Sequence, residues 1–376
     1  MSWRPAVSSL SNQQTNALRT IQNNVQSRSD IITWISGMAG NGKTIVMLYA
    51  AEAMCKLHPE KSICFVTYTH ALKDLFHESL LPEFQSLIDV KTHMSFMSQN
   101  QIYDFVFLDE IQDITEEDLD KIHNLSRKLV VAGDFGQCIY PDNEPISRER
   151  FISLYNPSVI DLTILFRLGP GLKRFAQKIA PHELIGSDER KIGDQEVIFK
   201  TFIDQVDETS EIDQMAIRFA KPGSPVAILF PKKQKIDKFI ERWAELKSLP
   251  KAPNTYQPGG KYNFEEMNRY FVLHQKTNEP LYQYFGNDQG ASALNLSHSK
   301  EVVFLMTYHS SKGLDFPTVI LPTLNSQGTL ISEKSTTIPL YESTLLFVAM
   351  TRAKKRIMFS WSKQPHRLID RLQSPV

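Results

Sequence analysis

The sequence predicts an α/β protein of two domains, each built on a parallel β-sheet flanked by helices. Short apolar runs rich in aromatic and branched residues alternate with amphipathic segments of helical period along the whole chain, a pattern typical of parallel sheets with crossover helices. The length of 376 residues also exceeds what a single core usually organises. We therefore predict a first domain over 1–150 and a second over 151–376.

The apolar runs and the helical segments define the elements of the first domain. Strands are predicted near 31–36, 63–67, 105–109 and 129–133, and helices near 10–25, 45–57, 70–79 and 116–125. A proline-bearing, acidic and irregular segment follows at 141–145, as is common between compact units. The boundary between the domains is expected between this segment and Asp161.

The second domain is expected to repeat the alternation of strand and helix. Its strands are predicted near 160–165, 196–202, 225–230, 302–307, 318–321 and 356–360. The region 250–300 is rich in Pro, Gly, Asn and Gln and shows little periodicity. We therefore predict a loop-rich insertion there.

The composition narrows the class of protein. The 42 basic and 42 acidic side chains balance, so no overall charge attracts nucleic acid. The three cysteines are too far apart for a C-x-x-C metal or redox motif, and they fit reduced thiols. The N-terminal residues have no apolar signal-peptide core, and no apolar run reaches membrane-spanning length. We expect a soluble, cytoplasmic protein without a membrane partner.

A complete G-x-x-x-x-G-K-[ST] phosphate loop, GMAGNGKT, lies between a predicted strand and a predicted helix at 37–44. The glycines let the backbone turn tightly and direct N–H groups at phosphate oxygens, and the helix N-terminus adds positive potential. Lys43 is expected to neutralise the β and γ phosphates, and the Thr44 hydroxyl to complete the coordination shell of Mg²⁺. The alternative is a fortuitous glycine loop.

The stretch DFVFLDEIQD at 104–113 is a second chemical signal. Phe105 to Leu108 predicts a strand buried on both faces, and ligands of open α/β sheets bind beyond the carboxyl ends of strands. Asp109 there is expected to hold Mg²⁺ with Thr44, and Glu110 to orient or deprotonate a water. The alternative is a strand that ends in a solvated turn. With the phosphate loop, this strand end predicts a site for ATP and Mg²⁺.

Two arginines of the second half are candidates to complete an ATP site in a cleft between the two domains. Arg167 ends a strand-like run, and Arg352 begins a helix-like basic stretch. A positioned arginine stabilises the equatorial oxygens in phosphoryl transfer, although either residue could instead be an ordinary surface cation. Gln137 follows another predicted strand and could report the nucleotide state. Its alternative is a turn held by Asp134 and Gly136.

The order of these motifs resembles that of the superfamily 1 helicases of the UvrD and Rep type, over nearly the whole chain. Residues 10–18 (LSNQQTNAL) are similar to the family's Q motif, 66–71 (VTYTHA) and 91–93 (KTH) to DNA-contacting segments, and 133–140 (GDFGQCIY) to motif III. In the second half, LFR at 165–167, MTYHSSKGLDF at 306–316 and FVAMTRA at 347–353 are similar to motifs IV, V and VI.

The resemblance implies two RecA-like domains and assigns a role to each matching residue. Catalytic roles in ATP hydrolysis fall to Lys43, Glu110, Gln137, Arg167 and Arg352, with Mg²⁺ held by Thr44 and Asp109. It implies that the nucleotide contacts Gln14, Gly37, Ala39, Gly40, Asn41, Gly42, Lys43, Thr44, Phe166 and Asp315. It implies that single-stranded nucleic acid contacts Tyr68, Thr69, His70, His93, Tyr140, Thr307 and His309.

Several positions depart from the family pattern. Phe166 replaces the usual adenine-stacking tyrosine, and Asp315 replaces a glutamate that meets the ribose. Ile45 stands where many relatives have an arginine over the adenine. After Tyr140, the segment 141–144 (PDNE) replaces an aromatic-Arg-Gly element. The segments 91–103 and 250–300 leave room for loops and a small subdomain only, whereas relatives insert larger accessory domains.

The resemblance implies an ATP-driven translocase that moves 3′→5′ on single-stranded DNA and unwinds poorly unless a protein partner supplies the accessory functions. One alternative is a nucleic-acid-stimulated ATPase that acts as a switch or clamp in a repair or defence complex. A second is a different P-loop enzyme, such as a small-molecule or polynucleotide kinase. RNA stays open as the track, because no residue pattern identifies a reader of the 2′-hydroxyl.

Overall fold

The computed structural model describes residues 4–27, 31–140, 143–180, 193–254, 263–286, 292–326 and 339–374. These residues form two compact units, one up to Phe166 and the other from Arg167 onward. Each unit has a six-stranded sheet in which the described strands pair in parallel. The predicted class, two parallel-sheet α/β domains flanked by helices, is confirmed.

The first unit has the strand order β3-β2-β4-β5-β1-β6. Its strands are β1 (Thr33–Gly37), β2 (Ile63–Thr67), β3 (Ile88–Thr92), β4 (Tyr103–Leu108), β5 (Ser126–Gly133) and β6 (Ser158–Leu162). Its helices are α1 (Asn12–Gln26), α2 (Lys43–Leu57), α3 (His70–Ser79), α4 (His93–Gln99), α5 (Glu116–Asn124) and α6 (Arg148–Tyr155).

Helices cover both faces of this sheet because its central strands are apolar at consecutive positions. Successive side chains of a strand point to opposite faces. Ile35 of β1 joins the core cluster of α1, α2 and α3, whereas its neighbour Trp34 joins the cluster of α4, α5 and α6. Trp34 meets the edges of Phe135 and Phe151 at ring-centroid distances of 5.4 and 5.6 Å. Both sets of helices therefore gain from burying apolar surface.

Two strands of the first sheet differ from the sequence prediction. The strand expected near 160–165 at the start of the second domain is β6, which pairs with β1 at the edge of the first sheet. The two units divide after Phe166, later in the chain than the expected boundary. Strand β3 was missed because its sequence, IDVKT, is half polar and partly exposed, and an edge strand needs no continuous apolar run.

The second unit has the strand order β7-β12-β11-β8-β10-β9. Its strands are β7 (Glu196–Phe202), β8 (Val226–Phe230), β9 (Leu281–Tyr284), β10 (Val302–Thr307), β11 (Phe316–Leu321) and β12 (Ala353–Ser362). Its helices are α7 (Pro170–Ile179), α8 (Gln205–Phe219), α9 (Lys233–Leu246), α10 (Phe264–His274), α11 (Ser292–Asn295), α12 (Pro339–Met350) and α13 (Arg367–Gln373).

The region 250–300 is not a loop-rich insertion in its described parts. Strand β9 pairs with β10 from Leu281↔Val302 to Tyr284↔Leu305, and α10 packs on it with Tyr270 and Phe271 in the core. The Pro, Gly and Asn content favours loops, but these aromatic residues provide apolar surface that a helix and an edge strand bury in the core. Residues 255–262 and 287–291 of this region lie outside the described residues. Among the residues that the structure describes, none of the helices combines the length and the apolar character of a membrane span.

Candidate functional site

The carboxyl ends of β1 and β4 bring the phosphate loop and Asp109 to one edge of the first sheet. The phosphate loop leaves β1 and enters α2, with φ values of +157° at Gly37, +85° at Gly40 and +81° at Gly42. Glycine adopts positive φ values without steric cost, because it has no Cβ. At Gly37 an added Cβ would also lie 2.6 Å from the carbonyl oxygen of Leu162. The expected glycine loop is therefore present between strand and helix.

Neighbouring segments brace this loop. The Nδ2 of Asn41 donates to the carbonyl of Leu162 at 2.5 Å, and the backbone N–H of Phe166 donates to the carbonyl of Gly40 at 2.9 Å. Ala39 is buried within the loop. The residue that the resemblance assigns to adenine stacking is thus attached through its backbone to the phosphate loop.

Gln14 connects the start of α1 with the phosphate loop. Its Oε1 accepts from the backbone N–H of Ser11 at 3.0 Å in a capping box that starts α1. Its Nε2 donates to the carbonyl of Asn41 at 3.3 Å. An added Cβ at Gly42 would lie 2.3 Å from this Nε2. Gln14 is 5% exposed and holds α1 against the loop, while its contact with adenine stays a prediction.

Lys43 and Thr44 begin α2 and face the end of β4. The Lys43 ammonium donates to the carbonyls of Gly37 and Met38, the latter at 3.0 Å. The Thr44 hydroxyl donates to Oδ2 of Asp109 at 2.7 Å. The structure thus joins the two residues that were predicted to share a metal ion, although 64 other positions separate them in sequence.

Asp109 is a buried carboxylate at the end of β4. Burial and the neighbouring charge of Glu110 raise its pKa, and the Thr44 hydroxyl and the Lys43 ammonium oppose this rise. The backbone N–H of Glu110 donates to Oδ1 of Asp109 at 3.0 Å. Glu110 itself adopts a left-handed backbone conformation, with φ of +60°, which few non-glycine residues do outside functional turns.

Asp109 and Thr44 fit Mg²⁺ as ligands. Mg²⁺ prefers oxygen atoms and usually binds one or two carboxylates together with substrate phosphates and water. Within the described ranges, no group of three or more His, Cys, Asp or Glu side chains is placed to hold a metal ion. One buried carboxylate beside a hydroxyl and a phosphate loop is the set that a phosphate-bound Mg²⁺ requires.

A chain of hydrogen bonds connects Glu110 with Gln137. Gln112 donates through Nε2 to the Glu110 carboxylate, and its Oε1 accepts from the backbone N–H of Asp134 at 3.0 Å. The Asp134 carboxylate then accepts from Nε2 of Gln137. Burial raises the pKa of Asp134, against the opposing charge of Lys43. From the sequence, Asp134 was predicted only as a turn residue, although an acid at the end of a strand beside β4 was the signal available.

Three residues predicted to contact nucleic acid form an aromatic stack. Tyr68 lies between His93, at a ring-centroid distance of 4.8 Å and an angle of 9°, and Tyr140, at 5.1 Å and 29°. Asn143 donates to the Tyr68 hydroxyl at 3.2 Å. Burial lowers the pKa of His93, which favours the neutral ring. The stack joins segments after β2, β3 and β5, which are far apart in sequence.

The other residues predicted to contact nucleic acid lie at or just beyond the carboxyl ends of β2 and β10. Thr69 caps α3 by accepting from the backbone N–H of Leu72 at 3.3 Å, and His70 is exposed at the first position of that helix. In the second unit, the buried Thr307 hydroxyl bonds with Ser310 Oγ at 2.8 Å. His309 bonds through Nε2 with the Tyr341 hydroxyl at 3.1 Å.

The second unit pairs a predicted arginine finger with the predicted ribose contact. Nη2 of Arg167 lies 2.8 Å from Oδ1 and 2.9 Å from Oδ2 of Asp315. Lys354 approaches the same carboxylate at 3.6 Å. Asp315 is therefore a counterion of Arg167 within one unit.

Arg352 does not begin a helix as its basic neighbours suggested. It lies just beyond α12 and immediately before β12, and it is 3% exposed. Its Nε donates to the carbonyl of Val348 at 2.8 Å, and its Nη2 donates to the Thr351 hydroxyl at 2.9 Å. Two hydrogen bonds at the end of α12 therefore orient this guanidinium, and cations are favoured at that end of a helix.

Family models match both ends of the chain. The UvrD-like helicase C-terminal domain matches 287–364, and the model described as type III restriction enzyme, res subunit, matches 8–136. None of the curated proteins compared with the chain matches it.

Solved structures that match the chain include the arterivirus nonstructural protein 10 helicase, alone and with DNA, and the PRRSV helicase. The first has 15% identity and a TM-score of 0.44 over 96% of this chain and 64% of its own. The DNA complex has 15% identity and a TM-score of 0.46, with 96% and 66% covered. The third has 14% identity and a TM-score of 0.46, with 94% and 56% covered. The chain thus spans less than two thirds of the length of these proteins. The motif order and the two family matches are consistent with a superfamily 1 helicase.

Proposed function

We propose that this protein is an ATP-dependent motor that translocates 3′→5′ along single-stranded DNA. The observation that carries the proposal is the segment after β5. Gln137 ends the hydrogen-bond chain that starts at Glu110, and Tyr140, three residues later, belongs to the aromatic stack. One short segment thus joins the candidate ATP site to the candidate DNA site. A motor needs this kind of link, because nucleotide state must change the grip on the strand.

In the proposed reaction, a water oxygen attacks the γ-phosphorus of ATP, the bond to the ADP oxygen breaks, and a proton of the water passes to Glu110. Gln112 holds the Glu110 carboxylate so that it faces the water. Lys43 neutralises the β and γ phosphates. Bound Mg²⁺, held by Thr44 and Asp109, would screen the negative charge of the phosphates.

The second unit is proposed to contribute charge to the same reaction. Arg167 and Arg352 stabilise the equatorial oxygens of the transferring phosphoryl group, an effect worth about 10³–10⁵ in rate where it is measured. Phe166 stacks on the adenine, Gln14 contacts its edge and Asp315 approaches the ribose. Gln137 senses the γ-phosphate. These assignments follow the motif order.

The strand is proposed to run over the aromatic stack of Tyr68, His93 and Tyr140. A base that stacks on an outer ring of this stack, His93 or Tyr140, would gain about 1–3 kcal/mol without regard to sequence. Thr69, His70, Thr307 and His309 would contact the backbone of the strand. The same stacking would accept RNA, so the preference for DNA is part of the proposal.

Strand separation is expected to be weak without a protein partner. The region with most room for an accessory domain, 250–300, contributes α10 and β9 to the second core. This observation also favours the alternative, an ATP-gated switch or clamp in a repair or defence complex that binds strands without directional movement. Displacement of streptavidin from end-labelled single strands separates the two, because only a translocase displaces it, and at one end only.

The proposal is tested by ATP turnover with single-stranded DNA, single-stranded RNA, duplex DNA or no polymer. We expect strong stimulation by single strands and little by duplex. Glu110→Gln should lose about 10²–10⁴ in turnover and retain ATP binding, because Lys43, Thr44 and Asp109 remain. Glu117→Gln, an exposed glutamate on α5, is the matched control and should keep full turnover. Full turnover by Glu110→Gln would refute the role of that carboxylate.

A further inference from the structure

The side chain of Gln195 bridges the backbone on the two sides of Leu168. Its Nε2 donates to the carbonyl of Arg167 at 2.6 Å, and its Oε1 accepts from the backbone N–H of Gly169 at 2.7 Å. Gln195 is 5% exposed, so water does not compete for these bonds. A buried amide whose donor and acceptor both bind one loop holds that loop at a defined distance.

Two glycines allow the segment 193–195 to lie this close to the loop. A Cβ added to Gly169 would lie 2.7 Å from the carbonyl oxygen of Gly193 and 2.8 Å from Oε1 of Gln195. A Cβ added to Gly171 would lie 2.7 Å from Oδ1 of Asp194, which accepts from the Gly171 backbone N–H at 2.8 Å. Close approach, and not an unusual φ, requires glycine at position 169, where φ is −76°.

Arg167 is thereby held at both ends. Gln195 bonds its carbonyl, and Asp315 pairs with its guanidinium. The loop between β6 and α7 has no regular structure, so these bonds and the buried Leu168 anchor it beside Arg167. We propose that Gln195 is a positioning residue, which sets the backbone from which the Arg167 side chain reaches the transferring phosphoryl group.

The inference rests on the proposed function, because the position of Arg167 affects turnover only if the chain hydrolyses ATP with its help. Misplacement of a catalytic group by about 1 Å can cost on the order of a hundredfold in rate. Ground-state binding of ATP depends mainly on the phosphate loop. Loss of Gln195 should therefore lower kcat far more than it raises KM.

The test is a double-mutant cycle with Gln195→Met and Arg167→Ala. Methionine has a similar volume and removes both hydrogen bonds without adding charge. We expect Gln195→Met to lower the DNA-stimulated kcat by about ten- to a hundredfold with little change in KM. In the Arg167→Ala background the same change should lower kcat no further, because the group it positions is gone. Single-turnover conditions with excess enzyme keep the slow rates measurable.

The matched control is Gln283→Met. Gln283 lies on β9 in the same unit and is also 5% exposed, and its loss should leave kcat unchanged. Should Gln195→Met not fold, Gln195→Glu keeps the size and the acceptor for Gly169 but loses the donor to Arg167, and it enters the same cycle.

The possible results distinguish a failure of the proposed function from a failure of the role of Gln195. A wild type without ATPase activity refutes the proposed function and this inference together. Full turnover by Arg167→Ala refutes the role of Arg167, and with it this inference, while leaving the ATPase proposal in place. If Arg167→Ala loses turnover but Gln195→Met retains it, or lowers it equally in both backgrounds, the positioning role of Gln195 is wrong and the proposed function stands.

Discussion

Nη2 of Arg167 lies within 2.9 Å of both carboxylate oxygens of Asp315, and 147 residues separate the two in sequence. The pair joins a candidate arginine finger to the residue that the motif order assigned to the ribose. The two side chains are mostly buried, at 17% and 10% exposure, and charge-assisted hydrogen bonds of this kind exceed neutral ones in strength. Asp315 therefore orients Arg167, whatever it contributes to the ribose.

This pairing predicts the effect of Asp315→Asn. The change removes the counterion of Arg167 and should lower the free energy of unfolding by about 1–3 kcal/mol. Lys354→Gln is the control, because the Lys354 ammonium lies 3.6 Å away and is 41% exposed, and exposed pairs are worth about 0–1 kcal/mol. Urea unfolding of both variants measures the difference. A larger loss for Lys354→Gln would contradict the assignment.

The raised pKa of Asp109 predicts that the free energy of unfolding depends on pH. Burial and the charge of Glu110 raise its pKa to about 6, from about 3.9 in an unfolded chain. The folded state therefore binds the proton more tightly, and ionisation costs stability progressively as pH rises from about 4 to 6. Asp109→Asn should stabilise the nucleotide-free protein at pH 7, with the gain disappearing below about pH 4. Melting temperatures across this range test the sign.

The control for this experiment is Asp118→Asn. Asp118 is not fully buried and lies in the first turn of α5, so its loss should give no gain at pH 7. ATP with Mg²⁺ should also stabilise the wild type more than Asp109→Asn, because the variant lacks one metal ligand. Lower stability of Asp109→Asn than of the wild type at pH 7 would show that the ionised Asp109 carboxylate does not destabilise the folded protein.

The aromatic stack predicts a ring-dependent affinity for single strands. Tyr68→Ala removes the central ring that supports the outer rings of His93 and Tyr140, and it should weaken binding by about 1–3 kcal/mol, equally for different base sequences. Tyr68→Phe keeps the ring and removes the hydroxyl that accepts a hydrogen bond from Asn143, so its affinity should stay near that of the wild type. Fluorescence anisotropy of labelled oligonucleotides measures both. Equal losses in both variants would mean that the hydroxyl, and not stacking, contributes the affinity.

Gly133 predicts a steric effect on the hydrogen-bond chain. A Cβ at this position would lie 2.2 Å from Oε1 of Gln112 and 2.6 Å from Cγ2 of Ile111. Gly133→Ala should displace Gln112, destabilise the protein by about 1–3 kcal/mol and lower ATP turnover. Gly193→Ala is the control, because a Cβ at Gly193 meets no described atom within 4 Å. Wild-type turnover in Gly133→Ala would show that the hydrogen bonds between Glu110 and Gln137 are not needed for hydrolysis.

The sequence by itself determined the fold class and the geometry of the phosphate loop. The glycines at 37, 40 and 42 occupy the positive-φ positions that the motif required, and Asp109 meets Thr44 as the strand-end rule predicted. These features are local: each depends on a short run of residues, on strand periodicity or on backbone freedom, and such signals are readable in one dimension.

Only the tertiary structure decided what distant residues do to one another. Three contacts join segments that are far apart in sequence. They are the pairing of β6 with β1, the stack of Tyr68 with His93 and Tyr140, and the hydrogen bonds of Gln195 to the loop at Arg167. No periodicity encodes these partners. They arise because parallel strands place their carboxyl ends along one edge, and because buried polar groups bond with whichever group the packing brings within reach.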